Sequence, residues 1–246
     1  MKLKGFTAVI TGSTGWIGRA IAIELAGAGM DCFCHYHQSS GQAEELAGRI
    51  RLAGQKAEVY GADLRDERQA GALMDRAFAF GPMRVLVNSA AIFEKGSLGE
   101  ITAESVNRVL SLNLIAPLVL SRAFAARLAA EEKSEGLPRA KIVNLADTGG
   151  IRPWKGYSAY CASKAGLIAA TKSLAKELAP DIAVIAVAPG AINWPRGDQG
   201  EKERLLSHIP AGRFGTAQEI ARTVLFALEN DYITGQTLIV DGGRSI

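Results

Sequence analysis

Aromatic residues are scarce in this chain, 7% of 246 residues against 48% hydrophobic overall, so its interior has to be aliphatic. Cysteine is scarcer still. Cys32, Cys34 and Cys161 lack the spacing of a disulfide framework, which excludes a stapled secreted fold and fits a reducing compartment. Charge of one sign is not in excess: the net charge is +3, and scattered Lys and Arg indicate no nucleic-acid surface. Long hydrophobic runs are missing; stretches such as Ile182–Ala188 are too short to span a bilayer. Met1–Gly12 carries no apolar core followed by a small-residue cleavage site, so no signal peptide is visible. These absences point to a cytoplasmic protein, with no membrane or nucleic-acid partner, that works on a small molecule.

What is present is alternation. Strand-like runs fall at Thr7–Ile10, Asp31–His35, Lys56–Tyr60, Arg84–Asn88, Lys141–Leu145, Asp181–Val187 and Thr237–Val240. Amphipathic runs separate them at Ile17–Ala28, Gln42–Leu52, Glu67–Phe80, Ser105–Ala130, Ser158–Leu178 and Ala217–Glu229, the last opened by a Thr216/Glu219 capping box. Several strands are continuously apolar, as in a parallel sheet covered on both faces. The pattern predicts an α/β, doubly wound Rossmann fold with a seven-stranded parallel sheet flanked by helices. No linker divides the chain, so 1–246 reads as one domain, with Ala191–Gly212 a mobile lobe over the site. The mixed-charge run Arg127–Lys141 reads as a helix end and a loop.

The first strand runs directly into Thr11-Gly12-Ser13-Thr14-Gly15-Trp16-Ile17-Gly18 and a helix. Glycines allow a tight turn and close backbone approach, and a helix N-terminus favours a pyrophosphate, so Gly12–Gly18 reads as a dinucleotide site. An NAD site usually presents an acid at the end of the second strand. Here the segment is His35-Tyr36-His37-Gln38-Ser39-Ser40, whose imidazoles and hydroxyls, His37 and Ser39 among them, could accept a 2′-phosphate with Arg19 nearby. NADP(H) is the expected cofactor. The run Cys32-x-Cys34-His35-x-His37 tempts a metal reading, but strand alternation sends 32 and 34 one way and 35 and 37 the other, so no metal is expected.

Tyr160 and Lys164 are four apart in a helical segment and share a face. Asp147 follows the fifth strand at the carboxyl edge, where open α/β sheets bind ligands. Asn113 occupies an awkward position inside a long helix. A reductase must donate a proton as hydride arrives, yet bringing a tyrosine from about 10 to near 7 takes about 4 kcal/mol of phenolate stabilisation. A Lys ammonium and an oxidised nicotinamide have the right sign for that.

With these elements, the chain from about Gly5 to Arg244 resembles the short-chain dehydrogenase/reductase family. The resemblance runs through Thr11-Gly12…Gly18, Asp63-Leu64, Asn88-Ser89-Ala90-Ala91, Asn113, Tyr160-x-x-x-Lys164, Pro189-Gly190, Thr234-Gly235-Gln236 and Asp241-Gly242-Gly243. It implies that Tyr160 donates the proton, that Lys164 lowers its pKa and holds the nicotinamide ribose, and that Asn113 anchors a water relay. It also implies that Asp63 and Leu64 meet adenine, Asn88 and Ala90 the cofactor ribose, and Pro189, Gly190 and Ile192 the nicotinamide. A homotetramer built on the Ser105–Ala130 and Ser158–Leu178 helices is implied as well.

Two positions depart from the family pattern. Trp16 stands where most short members have glycine, and Asp147 stands where the usual serine would be, thirteen residues before the tyrosine. A carboxylate there suits reduction of a ring C=N bond better than a ketone, because the product nitrogen needs a proton and a polar ring needs acceptors. Asp147, with Phe93, His35-Tyr36-His37 and Pro189-Gly190-Ala191-Ile192-Asn193-Trp194-Pro195, resembles the pteridine reductase subgroup. The expected substrate is a pterin stacked on Phe93 and reached by Asp147 and Tyr160. A 3-oxoacyl thioester or other ketone reductase, and a non-catalytic NADP(H)-sensing protein, are the alternatives.

Overall fold

The computed structural model describes residues 1–130, 140–192 and 199–246. Strands β1 (Thr7–Ile10), β2 (Asp31–Tyr36), β3 (Ala57–Gly61), β4 (Met83–Asn88), β5 (Ala140–Leu145), β6 (Ile182–Pro189) and β7 (Thr237–Val240) form one sheet, in the order β3-β2-β1-β4-β5-β6-β7. Every pairing is parallel. The fold is the expected α/β Rossmann arrangement. The helices are α1 (Trp16–Gly27), α2 (Ser40–Leu52), α3 (Glu67–Phe80), α4 (Ala103–Leu110), α5 (Ala116–Ala129), α6 (Ser158–Glu177), α7 (Gln199–Leu206) and α8 (Ala217–Glu229).

Period-two alternation divides the interior into two layers. Ala8, Ile10, Cys32, Cys34, Val85 and Val143 face Ile21 and Leu25 of α1, Leu46 of α2 and Val224 of α8. Val9, Phe33, Leu86, Ile142 and Val184 face Leu73 of α3, Phe124 of α5 and Ala175 of α6. With both faces covered, the central strands read as unbroken apolar runs. Burial pushes the Cys34 thiol up to about 12 and raises that of Cys32, so both behave as small hydrophobes.

Strand order reverses between β1 and β4, which opens a crevice at their carboxyl ends, the switch point where such sheets bind ligands. The segments after β1, β4, β5 and β6 all empty into this edge.

The expected single helix Ser105–Ala130 is interrupted. Ser111–Ile115 forms a π-turn between α4 and α5, with Ala116 N–H donating to the Ser111 carbonyl. Pro117 has no N–H to offer the carbonyl four residues back, that of Asn113, so regular bonding fails there. Ala103–Ala129 is long and apolar enough to cross a membrane by length and composition alone. Its Ala116, Leu120, Phe124 and Leu128 are instead core residues. Within the expected 191–212 lobe, 193–198 lie outside the described residues, and α7 is a helix that the polar, Pro/Gly-punctuated reading did not foresee. The Thr216/Glu219 capping box forms as expected.

Candidate active site

The phosphate turn is built by backbone. Gly12 has φ +62°, and a Cβ there would lie 2.8 Å from the Ala90 Cα; one on Gly18 would lie 2.3 Å from the Gly12 carbonyl oxygen. Gly15 is the N-cap of α1, with no side-chain cap and no acid in the first turn, so the helix's leading N–H groups are unclaimed by side chains. That donor set fits a pyrophosphate. Thr14 is half-buried, Trp16 is 55% exposed, and Ile17 packs against the upper core. The Ser13 N–H and hydroxyl both donate to the His35 carbonyl.

His35 corrects one sequence expectation. Its imidazole is buried rather than offered to a phosphate: Nδ1 accepts from Gly12 N–H at 3.1 Å, which leaves Nε2 to donate to the Ala62 carbonyl at 3.0 Å. Burial lowers its pKa to about 4, so it stays neutral and braces the glycine turn. His37 is half-exposed, with Nε2 3.9 Å from an Asp63 oxygen, and Ser39 caps α2 without a side-chain bond. Arg19 lies nearby but pairs with Glu45 at 2.5 Å. Asp63, held down to about 2 by its hydrogen bond from Arg65, stands beside the buried Leu64.

Asn88 is buried and donates to Asn144, which donates in turn to Thr171. Ala90 N–H donates to the Thr11 hydroxyl, tying the β4 exit to the phosphate turn. The Asn113 amide makes three hydrogen bonds. It exchanges two bonds with the Ile92 backbone, at 2.8 and 2.9 Å, and donates to the Ser163 hydroxyl at 3.1 Å. Its side chain therefore fixes the segment that carries Phe93, and a water relay would have to use its backbone carbonyl.

Tyr160, Lys164 and Asp147 converge at the carboxyl ends of β5 and β6. The Tyr160 hydroxyl donates to Asp147 Oδ2 at 2.8 Å, and Asp147 Oδ1 accepts from Gly149 N–H at 2.7 Å. Lys164 Nζ, 5.8 Å from the Tyr160 ring centre, donates to the Leu145 carbonyl at 2.7 Å. Burial lowers Lys164 to about 8, with Asp147 opposing. Burial raises Asp147 from its ordinary value, against bonds from Gly149 and Tyr160 and the charges of Lys164 and Arg244. In this arrangement burial and the neighbouring carboxylate push the Tyr160 phenol up, opposite in direction to the lowering that the resemblance assigns to Lys164.

Phe93 is 60% exposed, stacked on Tyr157 at 4.9 Å and edge-on to Tyr160 at 4.8 Å. Trp154 stacks on Tyr160 at 6.2 Å, and Arg244 lies 4.9 Å over the Trp154 ring. Trp154, Tyr157 and Arg244 escaped the sequence reading. Two aromatics in the short Pro/Gly-rich stretch between Asp147 and Tyr160 of an aromatic-poor chain were a usable signal; Arg244 carried none. On the far side, Gly190 N–H donates to the Val240 carbonyl, and a Cβ on Gly190 would sit 2.6 Å from that of Asp241. Pro189 ends β6, and Ile192 bridges to Gly215. Asn193, Trp194 and Pro195 lie outside the described residues.

The family model for "Enoyl-(Acyl carrier protein) reductase" matches residues 13–245. This chain belongs to the short-chain dehydrogenase/reductase family. A 3-oxoacyl-[acyl-carrier-protein] reductase from Synechocystis sp. is 34% identical over 241 residues, covering 96% of this chain and 95% of its own. Among solved structures, FolM alternative dihydrofolate reductase 1 from Brucella canis, complexed with NADP, has a TM-score of 0.89 at 31% identity, covering 100% and 96% of the two chains. A blue fluorescent protein from a metagenomic library, in complex with NADPH, gives 0.90 at 30% identity, with both chains covered in full. This short-chain dehydrogenase/reductase is thus an oxidoreductase acting on a small molecule.

Proposed function

We propose that this oxidoreductase uses NADPH to reduce a C=N bond of a pterin, dihydropterin to tetrahydropterin. The observation that carries this reading is the 2.8 Å hydrogen bond from Tyr160 to Asp147 beneath an exposed phenyl ring. NADPH, when bound, supplies the hydride. Gly12–Gly18 and the start of α1 would hold its pyrophosphate, His37 and Ser39 its 2′-phosphate, Asp63 and Leu64 the adenine, and Asn88 and Ala90 a ribose. Lys164 would hold the nicotinamide ribose, and Pro189, Gly190 and Ile192 the nicotinamide.

Tyr160 then gives the proton. Burial and the carboxylate push the phenol upward, so in this reading the proton it gives is replaced through Asp147, the group it hydrogen-bonds, whose pKa burial raises. A ring nitrogen can accept along this route, and the exposed face of Phe93 offers a flat heterocycle a stacking partner. Phe93→Ala is expected to raise the pterin dissociation constant by about 1–1.5 kcal/mol, roughly tenfold, with NADPH binding unchanged; calorimetry on the NADP⁺ complex measures both.

Two further parts of the reading are the cytoplasm, and a homotetramer for which the exposed Ile115 and Leu118 on the α4–α5 arm offer apolar surface. NADPH is expected to bind at least roughly tenfold tighter than NADH, because no acid follows Tyr36; equal dissociation constants would remove the 2′-phosphate assignment. A second reading, reduction of a 3-oxoacyl thioester, is favoured by the Synechocystis relative. NADPH oxidation against a panel of dihydropterins and 3-oxoacyl thioesters decides between them.

A further inference from the structure

We propose that Arg244 determines substrate selectivity, its guanidinium at the mouth of the site receiving a carboxylate or phosphate on the substituent that leads away from the reacting bond. The proposal rests on the reading that the reacting group lies against Tyr160 and Phe93.

Its first support is placement. Arg244 lies 4.9 Å over the Trp154 ring, and Trp154 is itself stacked on Tyr160. The cation is therefore one ring removed from the proton donor, and its charge reaches the Asp147 carboxyl.

The second support is that the position is heavily braced. The Asp241 carboxylate accepts from Gly243 N–H at 2.9 Å and Ser245 N–H at 2.7 Å, closing a turn around Arg244. Gly242 and Gly243 have φ of +64° and +87°, and Cβ atoms there would press on Ile209 and Pro210 at 2.9 Å. Arg152 Nη1 donates to the main-chain oxygens of Arg244 and Ile246 at 3.3 and 3.2 Å. These contacts fix the backbone that carries Arg244.

The third is unspent bonding capacity. Among the described residues the Arg244 side chain makes no hydrogen bond or ion pair, whereas Arg108, Arg122 and Arg213 each hold a glutamate. The nearby acids take their hydrogen bonds elsewhere, Asp241 from Gly243 and Ser245 N–H and Asp147 from Gly149 N–H and Tyr160, although both feel the Arg244 charge. Next to Tyr157, Gly96 N–H donates to the Gly156 carbonyl, and the Lys95 stem lies within 3.5–3.6 Å of where a Gly156 Cβ would be. Glu94 beside it is neutralised by Arg108. Arg244 and Lys95 thus bring two cations to the rim, and Arg244 presents a planar, ring-backed fork of donors suited to a bidentate anion.

The test compares two substrate pairs on wild type, Arg244→Gln and Arg244→Lys: dihydrofolate against an uncharged methyl-dihydropterin, and acetoacetyl-coenzyme A against acetoacetyl-N-acetylcysteamine. Wild type is expected to favour the anionic member. In Arg244→Gln that preference, taken as a ratio of KM values, should fall roughly tenfold, the loss of one charge-assisted contact, and Arg244→Lys should restore part of it. A merely structural role would weaken both members alike and leave the ratio fixed. A wild-type preference of unity, or one unmoved in Arg244→Gln, overturns the proposal. If only the thioesters turn over and their preference depends on Arg244, the pterin reading falls and this one stands; pterin turnover with an unmoved ratio does the reverse. Should neither pair be reduced, dissociation constants from calorimetry on the NADP⁺ complex give the same ratio, and a ratio unmoved in Arg244→Gln overturns the proposal there too.

Discussion

Tyr160→Phe is expected to lower turnover about 10²–10⁴-fold, the range general acid catalysis supplies, while the NADPH dissociation constant stays within a few-fold. Among the described residues the hydroxyl makes one hydrogen bond, to Asp147, so its removal breaks the proposed proton route without disturbing the glycine turn that would grip the pyrophosphate. Lys164→Ala should damage both quantities. Its ammonium is buried and donates to the Leu145 carbonyl at the end of β5, so truncation leaves that acceptor unserved and withdraws the group proposed to hold the ribose. Stopped-flow hydride transfer and calorimetric cofactor binding separate the two effects. Near-normal turnover by the Tyr160→Phe enzyme would remove Tyr160 as donor.

The sheet was legible because its strands are short, apolar and bounded by Gly, Pro and charged residues; each lies within one or two residues of where the pattern puts it. The interruption after Leu110 was not, since Ser111–Ile115 has the composition of continuous helix. Pro117 was the available clue, and its consequence falls four residues upstream, on the carbonyl of Asn113. His35 shows a different limit. Period-two reasoning assigns a side chain to a face of the sheet, but burial at a strand end depends on which backbone groups approach there, and Gly12 and Ala62 arrive from distant segments.

The convergence of Tyr160, Lys164 and Asp147 was legible because helical spacing and the carboxyl-edge rule constrain them. Their electrostatics were not. Lys164 is drawn toward the Leu145 carbonyl and Asp147 takes the phenol's hydrogen bond, a choice set by atomic distances that no spacing encodes. Trp154, Tyr157 and Arg244 reach the site along loops, where residue order says little about which side chains meet.

Asp147 offers the sharpest separation of chemistry from stability. Asp147→Ser is expected to lower pterin turnover at least roughly a hundredfold, because a hydroxyl cannot store the proton that Tyr160 passes on. The same role predicts that wild-type pterin reduction declines as pH rises through the raised Asp147 pKa. For stability the sign is opposite to that of an ordinary surface aspartate. A carboxyl whose pKa is raised by folding contributes stability that is fully present below its unfolded value and lost as pH rises through its folded one. At pH 8 the fold therefore carries a desolvated carboxylate that it would rather hold protonated. Asp147→Asn removes that charge and keeps an acceptor for Gly149 N–H, so its Tm at pH 8 should exceed that of wild type, with the difference shrinking toward pH 4. Lower stability of Asp147→Asn at pH 8 would mean that Lys164 and Arg244 compensate the carboxylate fully. Wild-type enzyme inert toward pterins, with Asp147→Ser improved as a ketone reductase, would leave the oxidoreductase standing and move its substrate to the carbonyl class.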